Sequence, residues 1–187
     1  ALNWTGFHPG DITLQFFLKA ARADSASALL NAARDYQAPL QNIVYADKSG
    51  VIGFIAAGRA PIRSEECDLQ GRAPAPGWSA SYDWQGFIPF EQLPQKHAPA
   101  SDAIVTANYK ITPEDYPYLI ASDWAPPYRT NRIAALIDQQ TDHRLIDSQS
   151  IQLDIQSTVA ERLLPLLMKI QPHEPLTQTI LDRLKQW

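Results

Sequence analysis

"QNIVYADKSGVIGFIAAG", residues 41–58, is the stretch on which the fold class turns. Two apolar runs, 42–46 and 51–57, flank "DKSG", a layout that predicts a β-hairpin (41–57) with Gly50 supplying the positive φ of the turn. Both arms are apolar at nearly every position, so the hairpin is expected to be covered on both faces. Period-two structure at this point interrupts a chain that otherwise reads as helix and loop, which makes the protein α+β.

Upstream, residues 1–40 read as helical. "DITLQFFLKAA", 11–21, places apolar residues three and four apart after Asp11, the expected N-cap. Ser25 is placed to cap a second, alanine-rich helix, "ASALLNAARDY". Downstream, residues 58–127 carry Pro or Gly every few positions, yet hold Trp78, Tyr82, Trp84, Phe87, Ile88 and Phe90. A disordered linker would not contain so many large apolar groups, so an ordered loop region pinned by aromatics is expected. Within it "IVTANYK", 104–110, predicts a third strand, 102–107, that ends at Asn108.

From 128 to 187 the chain reads as helical again. "RTNRIAALIDQQ" is amphipathic with Pro127 near its start, and three further helices are expected near 147–153, 156–169 and 174–187. Ser148 or Asp147 is the expected cap of the first of these, and Pro165 is expected to break or bend the second. The pattern stops at Trp187 with no Gly, Asn or Pro stop signal and starts as abruptly at Ala1, which predicts an internal fragment of a longer chain.

The bulk numbers exclude some classes. A net charge of −4 over 187 residues, with no basic stretch, argues against a nucleic-acid partner. No apolar run approaches the ~20 residues of a membrane-spanning helix. "ALNWTGFHPG" has neither the basic nor the apolar region of a signal peptide. The single cysteine, Cys67, has no internal disulfide partner and sits among acids that disfavour a thiolate.

The common catalytic motifs are missing: no G-x-S-x-G, C-x-x-C, H-E-x-x-H or phosphate-cradling glycine loop occurs. His8, His97, His143 and His173 are scattered and read as surface histidines, and Glu65–Glu66 as a solvated loop edge. By residue types alone the chain lacks a complete active site.

The order of its short motifs is more telling. "QNIVYAD" (41–47), "GVIGF" (50–54), "GRAPIR" (58–63), "GRAPAPGW" (71–78), "YDWQGFIPFEQLP" (82–94), "IVTAN" (104–108), "DYPYLIASDW" (115–124) and "RTNRI" (129–133) follow one another. This succession resembles the penicillin acylase family of N-terminal-nucleophile hydrolases, across nearly all 187 residues. The resemblance implies a piece of the β-chain and of a four-layer αββα sandwich. It also implies a precursor cleaved so that a serine becomes an N-terminus, where its hydroxyl attacks an amide and its α-amino group acts as base. An α-amino pKa near ~8 suits that role better than a lysine near ~10. Ala1 is not that nucleophile, and the resemblance gives no reason to promote Ser25, Ser49 or Ser64.

Two site residues follow from the resemblance. Asn108 matches the asparagine whose side-chain amide completes the oxyanion hole, and Arg129 matches an arginine that helps position that asparagine and the nucleophile. A guanidinium can hold an amide oxygen while leaving the amide N–H₂ free for substrate, whereas Arg132 reads as structural. No cofactor is expected in this stretch. Family members often bind calcium between chains, but the acid expected after "DYP" is replaced by "YLIAS", and Gly71 would offer only a carbonyl. Expected partners are the rest of the precursor and a small acyl amide, with no nucleic acid and no membrane. The resemblance implies a periplasmic or secreted protein. Faces built for absent elements would make the fragment self-associate. A different class remains open at this point: a non-catalytic secreted module that binds carbohydrate or peptide on aromatic platforms.

Overall fold

Helix α1 (Thr13–Ala20) begins beside a carboxylate. Asp11 Oδ1 accepts from the Thr13 N–H (2.8 Å) and hydroxyl (2.6 Å). The cap position itself falls on Ile12, one residue past the expected Asp11. The Thr13 hydroxyl oxygen in turn accepts from the Gln37 N–H at 3.0 Å, fixing the chain as it leaves α2 (Ala26–Ala33). Ser25 caps α2 as expected, its Oγ accepting from the Ala28 N–H at 3.3 Å. Here and throughout, the structure is a computed structural model that describes residues 2–99 and 103–186.

The hairpin forms as the sequence predicts. Strands β1 (Gln41–Ala46) and β2 (Ile52–Ala57) pair antiparallel from Gln41↔Ala57 to Ala46↔Ile52, and Gly50 takes φ +88° in the turn. Asp47 organises that turn: its carboxylate accepts from Ser49 Oγ (2.5 Å) and from the N–H groups of Ser49 and Val51. It also accepts from the Ala26 N–H at the start of α2 (3.1 Å), so one side chain joins hairpin to helix. These bonds, the Ser49 hydroxyl foremost, hold its carboxyl down to about 2. A depressed carboxylate stabilises the fold above its ordinary pKa of 3.8 and loses that contribution as pH falls through about 2. Asp47→Asn is therefore expected to be less stable than the parent at neutral pH. Denaturation curves from pH 5 to pH 2 should show the gap narrowing as the parent carboxylate is protonated; a gap independent of pH would sink the assignment.

Coverage of the hairpin differs from expectation. Strand β2 is buried from Gly53 to Ala57, whereas β1 is the sheet edge and leaves Val44 half exposed. Three strands make this sheet, β1 and β2 with a third, Gln95–His97, on the far side of β2, and α2 packs on β2, so only the middle strand gains cover on both faces.

The third strand is not 102–107. Position 102 lies outside the described residues, and 103–107 run without forming a strand. The place beside β2 goes instead to β5 (Gln95–His97), in the register Gly53↔His97 to Ile55↔Gln95. The β-branched run Ile104–Thr106 pairs with no strand of the described residues, and it lies half-buried. Two more short strands, β3 (Pro61–Arg63) and β4 (Trp84–Phe87), pair within the predicted loop region. Trp84 packs edge-on against Phe87, an aromatic pin of the expected kind.

The core is small and rich in alanine. Phe16, Ala32, Ala33, Ile55, Ala57, Ala60, Ile88 and Leu93 cluster, with Tyr118 and Ile120 packed against them from the later loop. All of this belongs to a first compact unit that ends at Ala125.

The second unit, from Pro126 onward, is helical: α3 (Tyr128–Ile137), α4 (Leu145–Gln152), α5 (Thr158–Leu167) and α6 (Pro175–Leu184). Pro127 precedes α3 as expected. The expected cap of α4 is corrected: Arg144 occupies the N-cap, and Asp147 reaches back from the first turn to accept its N–H at 2.8 Å. Pro165 does not end α5, which continues to Leu167. The N–H it removes would have met the carbonyl of Glu161, an exposed residue, so water can take that bond. No helix of the described residues is long and apolar enough to cross a membrane.

Candidate functional site

Asn108 sits just past the buried Ala107, with its side chain at the surface and its backbone at φ +63°. Among non-glycine residues Asn is one of the few that enters this left-handed region readily, because its short polar side chain hydrogen-bonds locally. Asn108 therefore lies on a bend rather than at a strand end. Stiffness comes from elsewhere. The Ala125 N–H donates to the Asn108 carbonyl at 2.9 Å and closes the loop 108–125 at its base. Midway along, the Tyr116 hydroxyl donates to the Gln92 carbonyl (2.7 Å), and the Tyr118 hydroxyl to Gln92 Oε1 (2.5 Å). The two rings meet edge to face with centroids 5.8 Å apart. Burial, with a smaller contribution from Tyr118, pushes the Tyr116 phenol up to about 12, so it remains a donor throughout the neutral range.

Arg129 belongs to the second unit. It lies in the first turn of α3, exposed, and helps line a cavity of about 270 Å³ with Tyr128, Arg132, Ile133, Asp154 and Thr158. A cation in the first turn opposes the helix dipole, so α3 itself gives no reason for an arginine there. Arg132 is structural, as expected. It makes a two-point contact with Asp154, Nε to Oδ2 at 3.0 Å and Nη2 to Oδ1 at 2.7 Å, and so ties α3 to the α4–α5 connection. That bond holds Arg132 above, and Asp154 below, their ordinary pKa values.

The histidines, carboxylates and cysteine of the described residues show no catalytic pairing. His97 Nδ1 meets the Tyr45 hydroxyl at 3.0 Å, His143 meets the Ile137 carbonyl and the Gln140 amide, and His8 faces the Pro9 carbonyl. None of these pairs a histidine with a serine, threonine or cysteine. Glu66 accepts from the Ser81 hydroxyl at 3.1 Å, and Cys67 is buried. No group of three His, Cys, Asp or Glu among the described residues is arranged to hold a metal ion. Of the aromatic platforms a binding module would use, Trp78 is exposed, but Trp84 and Phe87 are spent on the β3–β4 packing.

Sequence reasoning overlooked Gln92, Tyr116 and Tyr118. The signal available was "DYPYL", two tyrosines spaced by a proline in a loop that needed an anchor.

Comparison with known proteins adds four matches. The family model described as penicillin amidase matches residues 1–187. Penicillin acylase 2 proenzyme from Pseudomonas sp. (strain SE83) is 31% identical over 180 residues, covering 94% of this chain and 23% of that protein. Acyl-homoserine lactone acylase QuiP from Pseudomonas fluorescens (strain Pf0-1) is 32% identical over 173 residues, 91% of this chain and 20% of that protein. The chain thus spans about a fifth to a quarter of the length of these relatives. A solved thermostable penicillin G acylase from Alcaligenes faecalis superposes with a TM-score of 0.70 at 25% identity, over 94% of this chain and 32% of that one.

Proposed function

This chain belongs to the penicillin amidase family, and from that premise we propose that it is the oxyanion-binding part of a larger amidohydrolase. The observation that carries the reading is Asn108: an exposed primary amide on a backbone tied down at both ends of its loop, inside a family match that covers the whole chain. The remainder of the precursor supplies the nucleophile, an N-terminal serine. Its Oγ attacks the amide carbonyl carbon while its α-amino group takes the proton. The carbonyl oxygen becomes an oxyanion that accepts a hydrogen bond from Asn108 Nδ2–H; collapse expels the amine with the proton returned to its nitrogen and leaves an acyl-serine ester, which water, giving its proton to the α-amino group, then hydrolyses to the acid and the free serine. A neutral, fixed donor stabilises that charge without having to reorganise as it forms.

For Arg129 the proposed role is the one the family resemblance implies, positioning of the active site in the processed enzyme. The substrate is an acyl amide, a penicillin or an acyl-homoserine lactone, the two kinds named in the relatives. Calcium, where the whole enzyme uses it, is held mainly by carboxylates from outside this stretch. The enzyme is made as a precursor and works in the periplasm or outside the cell.

The rest of the precursor is also the partner of the exposed apolar faces. On α1, Leu14, Phe17 and Leu18 stand 79%, 55% and 65% exposed on neighbouring turns, too much apolar surface for a helix face left to water. Purified alone, the chain is expected to self-associate in light scattering and to hydrolyse none of a panel of aromatic, fatty and dicarboxylic acyl nitroanilides. The processed full-length enzyme should cleave at least one of them. Turnover by the isolated chain that survives replacement of Asn108 would refute the proposed chemistry.

A further inference from the structure

We propose that Gln92 is a positioning residue for Asn108, acting through the tyrosine clamp on the loop 108–125. The inference rests on Asn108 being the oxyanion donor and asks what holds it there. An exposed amide on a long loop loses its catalytic worth if the loop drifts, because a misplacement of the order of 1 Å at a reacting centre can reduce the rate by ~10²-fold.

Gln92 is suited to prevent drift because it is itself immobilised. It ends a short 3₁₀ turn, Phe90–Gln92, in which its N–H donates to the Pro89 carbonyl at 2.9 Å. Gln95 Nε2 braces the same turn by donating to the carbonyls of Phe90 (3.2 Å) and Glu91 (3.1 Å). Arg34, at the end of α2, pairs with Glu91 at 2.7 Å and lies 4.4 Å over the Phe90 ring, and the residue after Gln92, Leu93, is in the core. From this platform Gln92 presents two acceptors, its main-chain carbonyl to Tyr116 and its side-chain carbonyl to Tyr118. Tyr118 and Ile120 pack against the core, and the Gln92 bonds add two directional ties to the same loop.

The side-chain acceptor can be removed alone. In the full-length processed enzyme, Gln92→Leu deletes it and leaves the Tyr116 bond to the main chain intact, whereas Gln92→Glu keeps an acceptor for the Tyr118 hydroxyl. Loss of one such bond should lower kcat about three- to tenfold, with KM within about twofold. Gln92→Glu should restore kcat to within about twofold of the parent, and Tyr118→Phe should match Gln92→Leu without adding to it. In an Asn108→Gly background Gln92→Leu should have no further effect on kcat, since there is no amide left to misplace. An unchanged kcat in Gln92→Leu, or an equal loss in both backgrounds, overturns the inference. If Asn108→Gly alone still lowers kcat strongly in that case, the oxyanion reading survives. An Asn108→Gly enzyme with normal kcat overturns both.

Discussion

Asn108→Gly in the processed full-length enzyme is expected to lower kcat by about 10²–10³-fold, the loss that follows removal of one oxyanion donor, while KM changes little. The donor acts on charge that exists mainly in the transition state, so ground-state binding loses almost nothing. The backbone dictates glycine as the replacement. At φ +63° an alanine would add backbone strain of its own, which glycine does not. Glycine also separates two explanations of this residue that share the same φ. An asparagine present only because it tolerates the left-handed region is replaced by glycine without loss; one that donates to an oxyanion is not. The substitution Asn108→Asp keeps the shape and the backbone preference but sets a carboxylate against the developing negative charge, and its kcat should fall below that of the glycine variant. Because precursor self-cleavage passes through a similar tetrahedral species, the N-terminus of each variant must be established by mass spectrometry before rates are compared. Correctly processed Asn108→Gly enzyme with near-parental kcat would reduce Asn108 to a turn residue.

The elements that were legible in the sequence are those whose signal is local. Ser25 announces α2 through a cap completed three residues later, and Pro127 precedes α3 because its ring fits a helix start. The hairpin is announced by Gly50 between two apolar runs. What failed was pairing, which is not local. Ile104, Val105 and Thr106 have strand-forming side chains, but a strand also needs a partner, and the place beside β2 goes to β5. The residues of β5, Gln95–His97, have little strand propensity; they pair because Leu93 is anchored in the core and Pro94 offers its carbonyl to the Ala56 N–H at 2.8 Å. The α4 cap is a different case, a local one: Asp147 is the third helical residue and reaches back to the cap, Arg144, instead of being the cap itself. Asn108 and Arg129 are candidates only through the order of short motifs. The Gln92 clamp was not legible, because nothing in the spacing of residues 92, 116 and 118 says that they meet.

Ile55→Ala should be the most destabilising single truncation in the first unit, at about 2–5 kcal/mol. Ile55 is fully buried in the middle strand, between Ile43 on β1 and Gln95 on β5. The upper part of that range is expected because of its neighbours. Ala32, Ala33, Ala57 and Ala60 line the same cluster, and an alanine has no rotamer with which to move into a void. The cavity therefore stays open, and the lost contacts are not regained. Ile55→Val removes one methyl and should cost only about 0.5–1.5 kcal/mol, which separates a cavity effect from disruption of the strand. Both are measured as shifts of the denaturation transition of the processed enzyme. The same cluster carries Leu93, beside Gln92, and Tyr118 and Ile120, from the loop behind Asn108. Loosening it should thus appear in catalysis as well, as a kcat that falls with rising temperature sooner in Ile55→Ala than in the parent, well below the global transition. If Ile55→Ala proves no more destabilising than Ile55→Val, the cluster relaxes around the void, and the alanine-lined core is softer than its packing implies.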